Sequence, residues 1–153
     1  MIWPNIRFAF SVVVYVAACN AHAQIETKEL TFSGIWEIDL RTQAERTNKV
    51  ECGVATFELH QSGKKISGSH SFATPNCGRM NDGGEGTVKG YVMGESAFLV
   101  VTSARNGAIV MGRADRVANS LRWLVLDEIK PGEPEGDSAL ILNRGMLQRS
   151  SAN

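Results

Sequence analysis

From Thr31 onward, apolar and polar residues alternate by twos. "TFSGIWEIDL" (Thr31–Leu40) sets Trp36, Ile38 and Leu40 on one side and Glu37, Asp39 and Arg41 on the other. Such alternation marks a half-buried strand, because successive side chains of a strand point to opposite faces of the sheet. The same reading predicts strands at Phe32–Leu40, Val54–His60, Lys65–Phe72, Gly86–Met93, Ala97–Ala104, Ala108–Arg116, Leu121–Glu128 and Ala139–Met146. In the second, Ala55, Phe57 and Leu59 face inward; in the third, Ile66, Gly68, His70 and Phe72 share a face opposite Lys65, Ser67, Ser69 and Ser71. Leu121, Trp123 and Val125 share a face of the seventh, and Leu140, Leu142 and Arg144 a face of the eighth.

Turn residues punctuate these runs. "QSGK" offers Gly63 for a positive φ, "ARNGA" contains an Asn-Gly pair, and "VANS" closes another hairpin. Two longer loops stand out: the polar "ATPNCGRMNDGGE" and the acidic, proline-bearing "IKPGEPEGDS". Thr42–Val50 reads as a loop or one short helical turn, and the tail from Leu147 should fray. Eight consecutive short strands with short turns predict an all-β fold, an antiparallel up-and-down meander. Closing it into a barrel removes exposed strand edges. Eight strands leave an interior that side chains just fill, or that holds one small ligand.

The first 23 residues do not fit this pattern. One cation, Arg7, precedes the apolar run "FAFSVVVYVAA", and "AHA" (Ala21–Ala23) offers small residues for cleavage after Ala23. This reads as a secretory signal peptide, too short to span a bilayer. The barrel domain is then residues 24–149, followed by a disordered tail, 150–153. "VAAC" (Val16–Cys19) supports an alternative, a lipoprotein anchored through Cys19. Either way the protein is exported, periplasmic or secreted, with no other membrane attachment. Cys52 and Cys77 then form an even pair in an oxidising compartment, which predicts a disulfide. The two cysteines lack the C-x-x-C spacing and paired histidines of a zinc site. The 16 basic and 16 acidic residues balance, with no basic stripe, which argues against a nucleic-acid partner.

Gly34-Ile35-Trp36 on the first strand resembles the Gly-x-Trp signature of the calycins, the lipocalin and avidin-like barrels. The order of pieces is also similar to avidin-like chains: the hairpin ending "ISGSHSF", the glycine-flanked "GTVKG" and the late strand "LRWLVL". The resemblance implies that Trp36 closes the barrel floor beneath an arginine of the last strand, here Arg144, with Gly34 and Trp36 structural. Biotin binding does not carry over. Those pockets use several tryptophans, and beyond the leader this chain has only Trp36 and Trp123.

No catalytic, metal or cofactor motif emerges. Ser71, His70 and Asp82 could make a triad on paper, but neighbouring strand residues face opposite ways, and no Gly-x-Ser-x-Gly elbow is present. "GGEG" precedes a strand, not the helix N-terminus a phosphate loop needs. The carboxylates of "DEIKPGEPEGD" lack EF-hand spacing and read as a solvated loop. Two functions remain as expectations. One is a binding protein for a small, partly apolar ligand at the barrel mouth, lined by His70, Trp123, Phe72 and Trp36. The other is an inhibitor of a protease or lysozyme, acting through loops. Interior volume separates them: a filled lumen favours a protein target.

Overall fold

A computed structural model describes residues 31–150. The leader, Cys19 and the last three residues lie outside the described residues. The elements in chain order are β1 (Gly34–Asp39), α1 (Gln43–Thr47), β2 (Cys52–Ser62), β3 (Lys65–Pro75), β4 (Met80–Asn81), β5 (Val88–Met93), β6 (Ser96–Thr102), β7 (Ile109–Val117), β8 (Ser120–Lys130) and β9 (Arg144–Arg149). Apart from β4, each strand pairs antiparallel with its neighbour in sequence, and β9 returns to β1. The result is a closed barrel of eight strands, all-β and up-and-down, as the alternation predicts. β4 is a two-residue addition beside the end of β3.

The interior follows the period of two. Ala55, Phe57 and Leu59 of β2, Ile66 and His70 of β3, and Leu121 and Trp123 of β8 are all buried. Their outward neighbours on β2 and β3 stay polar, which fixes the register, since a slip by one would expose the whole apolar set. α1 is a single turn that begins with a capping box: Glu45 N–H donates to Thr42 Oγ1, and Thr42 N–H donates to the Glu45 carboxylate.

The eighth predicted strand needs correction. Ala139–Asn143 is not strand, and β9 begins at Arg144 and runs through Leu147 to Arg149, where fraying was expected. Leu140 and Leu142 are buried as their alternation requires. But Leu140 takes a positive φ of 47°, and the backbone polar groups of this segment bond largely to side chains rather than to a sheet neighbour. Periodicity reports burial, and a segment laid over a core buries alternate residues without joining a ladder. The fourth strand is also shorter than expected, beginning at Val88 rather than Gly86.

Cys52 and Cys77 form a disulfide, 25 residues apart in sequence. It ties the start of β2 to the loop that follows β3, where Cys52 also pairs with Pro75. Closing a loop of this length restricts the unfolded chain by about 3 kcal/mol in the chain-entropy model. Reduction, or Cys52→Ser with Cys77→Ser, should therefore lower the unfolding free energy by about that amount in urea titrations. An unchanged midpoint in the reduced protein would remove the bond from the stability of the barrel.

Candidate functional site

One end of the barrel carries the β2–β3, β5–β6 and β7–β8 turns, and Trp36 closes it. The indole is fully buried, and its Nε1–H donates to the Phe32 carbonyl at 2.8 Å. Two guanidinium groups lie over its face, Arg116 at 4.4 Å and Arg149 at 5.3 Å. Arg149 comes from the last strand and pairs with Trp36 across β9 and β1. The arginine on the tryptophan is thus Arg149, joined by Arg116 of β7, and not Arg144, which is exposed beside Leu124 on the outer wall. The parity of β9 explains the change: Gly145, Leu147 and Arg149 take the inward positions once the strand starts after the irregular segment.

Both arginines also hold the incoming chain. Arg149 Nη2 donates to the Ser33 carbonyl at 2.7 Å, and Arg116 Nη1 donates to the Thr31 carbonyl. Arg116 Nε is buried without a partner, and burial first, then the Arg149 charge, lowers the pKa of Arg116. Gly34 makes this arrangement possible. Its φ is +136°, and a Cβ there would sit 3.0 Å from the Arg149 guanidinium. The first glycine of Gly-x-Trp is therefore the berth of the arginine that covers the tryptophan.

The opposite end is crossed by Ala139–Asn143. His70 on β3 and Trp123 on β8 stand on opposite walls and hold the same residue, Leu142. Leu142 N–H donates to His70 Nε2 at 3.1 Å, and Trp123 Nε1–H donates to the Leu142 carbonyl at 2.6 Å. Asn81 donates to the Leu140 carbonyl at 3.2 Å, and Ser103 Oγ donates to the Ala139 carbonyl at 2.7 Å. Upstream, Arg105 forms an ion pair with Asp137 at 3.1 Å. The segment is a strap tied across the mouth.

Beneath the strap the lumen is packed with aromatic rings. His70 stacks on Phe57, with centroids 4.3 Å apart, and Phe57 meets Trp123 at 5.0 Å. Phe72 packs against the same core, partly buried. His70 is fully buried and has both ring nitrogens engaged, because Nδ1 lies 2.9 Å from the Thr56 carbonyl. Nε2 accepts from Leu142, so the proton resides on Nδ1 and the ring is neutral. Burial pushes its pKa down to about 4, partly opposed by the Thr56 carbonyl.

The structure thus brings Trp36, Phe57, His70 and Trp123 into one continuous interior. Residues that periodicity did not single out complete it. Gly112 leaves the space that Trp123 fills, since a Cβ there would lie 2.2 Å from the indole. Asn81 and Ser103 are buried polar anchors of the strap: Asn81 comes from loop sequence without a period to mark it, whereas Ser103 continues the inward parity of Ala97, Leu99 and Val101.

Two grooves open on the outer wall. A groove of about 630 Å³ runs over the outer side of β2 and β3, between Glu58, His60, Ser67, Ser69 and the glycine loop Gly84–Gly86. A second, of about 410 Å³, adjoins it through His60 and Ser67 and reaches Lys65, Lys89 and Tyr91. None of the four residues expected to hold a small ligand lines either groove. Among the described residues no helix is long and apolar enough to cross a membrane. Compared with models of known families, with curated proteins and with solved structures, the chain matches none.

Proposed function

We propose that this chain is an exported, calycin-like binding module whose target is a protein, engaged through the outer surface, in the manner of an inhibitor of a secreted or periplasmic protease or lysozyme. The observation that carries this reading is the Leu142 peptide, held from both walls by His70 and Trp123 over a core already filled by aromatic rings. A ligand in the lumen would have to displace the strap and leave those polar groups unpaired, at about 1–3 kcal/mol each. The disulfide supports an oxidising compartment. The Gly-x-Trp strand and the last-strand Arg149 over Trp36 support the calycin kinship. A binding role is supported by His70, the inward histidine, whose two ring nitrogens are both committed to the fold.

Native mass spectrometry of the protein isolated from its source organism tests this. The expected result is the bare mass of the mature chain, together with a complex with a second protein. A co-purified small molecule that is lost from a Trp123→Phe variant would overturn the reading in favour of a ligand at the barrel mouth.

A further inference from the structure

The two outer grooves share one floor. The register sets three rows of outward side chains across β2, β3 and β5. The first holds Glu58 and Ser69 beside the glycine loop Gly84–Gly86, the second His60, Ser67 and Lys89, and the third Ser62, Lys65 and Tyr91. Successive rows lie two strand residues apart, so the floor runs about 13 Å from the first to the third. His60 and Ser67 line both grooves and join them.

Charge is sorted along this floor. Glu58 and Glu85 stand at the first groove, Lys65 and Lys89 at the second. Each strand charge has neutral neighbours on both flanking strands. Glu58 lies between Ile35 and Ser69, Lys65 between Ser62 and Tyr91, and Lys89 between Ser67 and Val100. None of the ion pairs among the described residues uses any of the four. A solvated sheet face gains by setting opposite charges across from one another, and an ordinary surface intersperses the two signs. Here two carboxylates and two ammonium groups are held apart within one concavity, and all four residues are exposed.

We infer that this double groove seats an extended segment of the target protein, with a basic side chain at Glu58 and Glu85 and an acidic one, four residues away, at Lys65 and Lys89. This rests on the protein-binding reading above and names the segment that the surface recognises. An extended chain rises about 3.3 Å per residue and sends alternate side chains to one face, so its positions i, i+2 and i+4 match the three rows. Ser67, Ser69 and His60 offer hydrogen bonds to the middle of the segment, and Tyr91, 55 % exposed, gives the basic end an apolar wall. Opposite charges at a matched spacing fix the register of the segment and reject a like-charged one. A sugar offers no cation to the carboxylates, and the backbone of a nucleic acid offers only anions.

Fluorescence anisotropy of the whole mature protein with short labelled peptides tests this. The probe is a neutral, serine-rich peptide carrying Arg and Glu four residues apart. Comparison peptides carry Arg at both positions, Glu at both, or Arg and Glu three apart, which puts them on opposite faces. The probe should bind saturably, weaken as salt rises, and exceed each comparison by at least about ten-fold. The double variant Lys65→Glu, Lys89→Glu should move the preference to the Arg/Arg peptide, and Glu58→Lys, Glu85→Lys should move it to the Glu/Glu peptide. Loss of folding cannot produce such a switch. Ser67→Trp fills the floor and should weaken both the probe and the protein complex found by native mass spectrometry at least about ten-fold. Near-ultraviolet circular dichroism verifies that the variants fold. A protein complex that Ser67→Trp leaves at full strength would sink the groove while leaving protein binding intact. So would equal affinity for all the peptides, or a protein complex without any binding of the probe. Neither peptide binding nor a protein complex would sink both. A complex made only of two copies of this chain would also overturn the proposal.

Discussion

His70→Ala should lower the unfolding free energy at pH 7 by about 3–5 kcal/mol, and should abolish most of the protein's loss of stability between pH 6.5 and pH 4. The first effect has three sources. The ring leaves a cavity against Phe57, the Leu142 N–H loses its acceptor, and the Thr56 carbonyl loses its side-chain donor. The second follows from linkage. The folded protein holds the imidazole neutral down to about pH 4, while the unfolded chain takes up a proton near the usual value of 6.5. Between those values the unfolded state binds the extra proton, so stability falls as pH falls. The contribution is complete above pH 6.5, declines through the window, and changes no further below about pH 4. A shift of this size corresponds to about 3 kcal/mol.

Asp39 does not confuse the result. Its hydrogen bonds from Arg41 lower its pKa to about 2, so its own contribution is lost only at pH values below the range in which His70 acts. Urea titrations of wild type and variant at pH 7 and pH 4.5 measure both effects. Parallel curves for the two proteins across that range would show that His70 is not the acid-sensitive tie of the strap. Hydrogen exchange gives an independent view: protection of the Leu142 amide should fall first on acidification, because protonation of Nε2 removes its acceptor.

The barrel was legible because most of its strands alternate cleanly and their turns are short. Phe57, Ile66, His70 and Trp123 all lie on the side that parity assigned to them, and the disulfide joins the two cysteines expected to pair. What escaped the sequence had no period. "SALILN" alternates like a strand, yet its carbonyls and amides go to Asn81, Ser103, Trp123 and His70, residues brought near only by closure of the barrel. That one misreading moved the parity of the last strand and placed Arg144, rather than Arg149, over Trp36. The outer face was hidden for a different reason. In "AFLVVTSA" and "AIVMGRA" both faces are apolar, so alternation could not say that one side meets solvent.

Both ends of the barrel are sealed over a buried aromatic core. At one end Ala139–Asn143 is tied by side chains; at the other Thr31–Ser33 is tied by Arg116 and Arg149, and Phe32 N–H donates to Gln61 Oε1 at 2.8 Å. Trp36 at one end and Trp123 at the other belong to one core cluster, so damage at either end should be felt in the whole barrel.

Trp36→Ala should show this most strongly, with an expected loss of about 4–5 kcal/mol. Removing a fully buried indole opens a large cavity between β1 and β2 and strips the Phe32 carbonyl of its donor. It also removes the surface on which two guanidinium groups rest, an arrangement in which each cation draws about 0.5–2 kcal/mol from the ring. Arg116 and Arg149 would then lose the ring face they share, with the charged form of Arg116 already disfavoured by burial first and then by Arg149. Two further results separate this account from simple cavity formation. Trp36→Phe keeps a ring face and should lose only about 1–2 kcal/mol, chiefly the Nε1–H bond and part of the cation attraction. Added salt should restore part of the deficit of Trp36→Ala and little of that of Trp36→Phe, because only the first leaves two like charges without a shared partner. Equal losses for the two variants, or a Trp36→Ala deficit insensitive to salt, would show that Trp36 acts by volume alone and that the paired arginines do not depend on it.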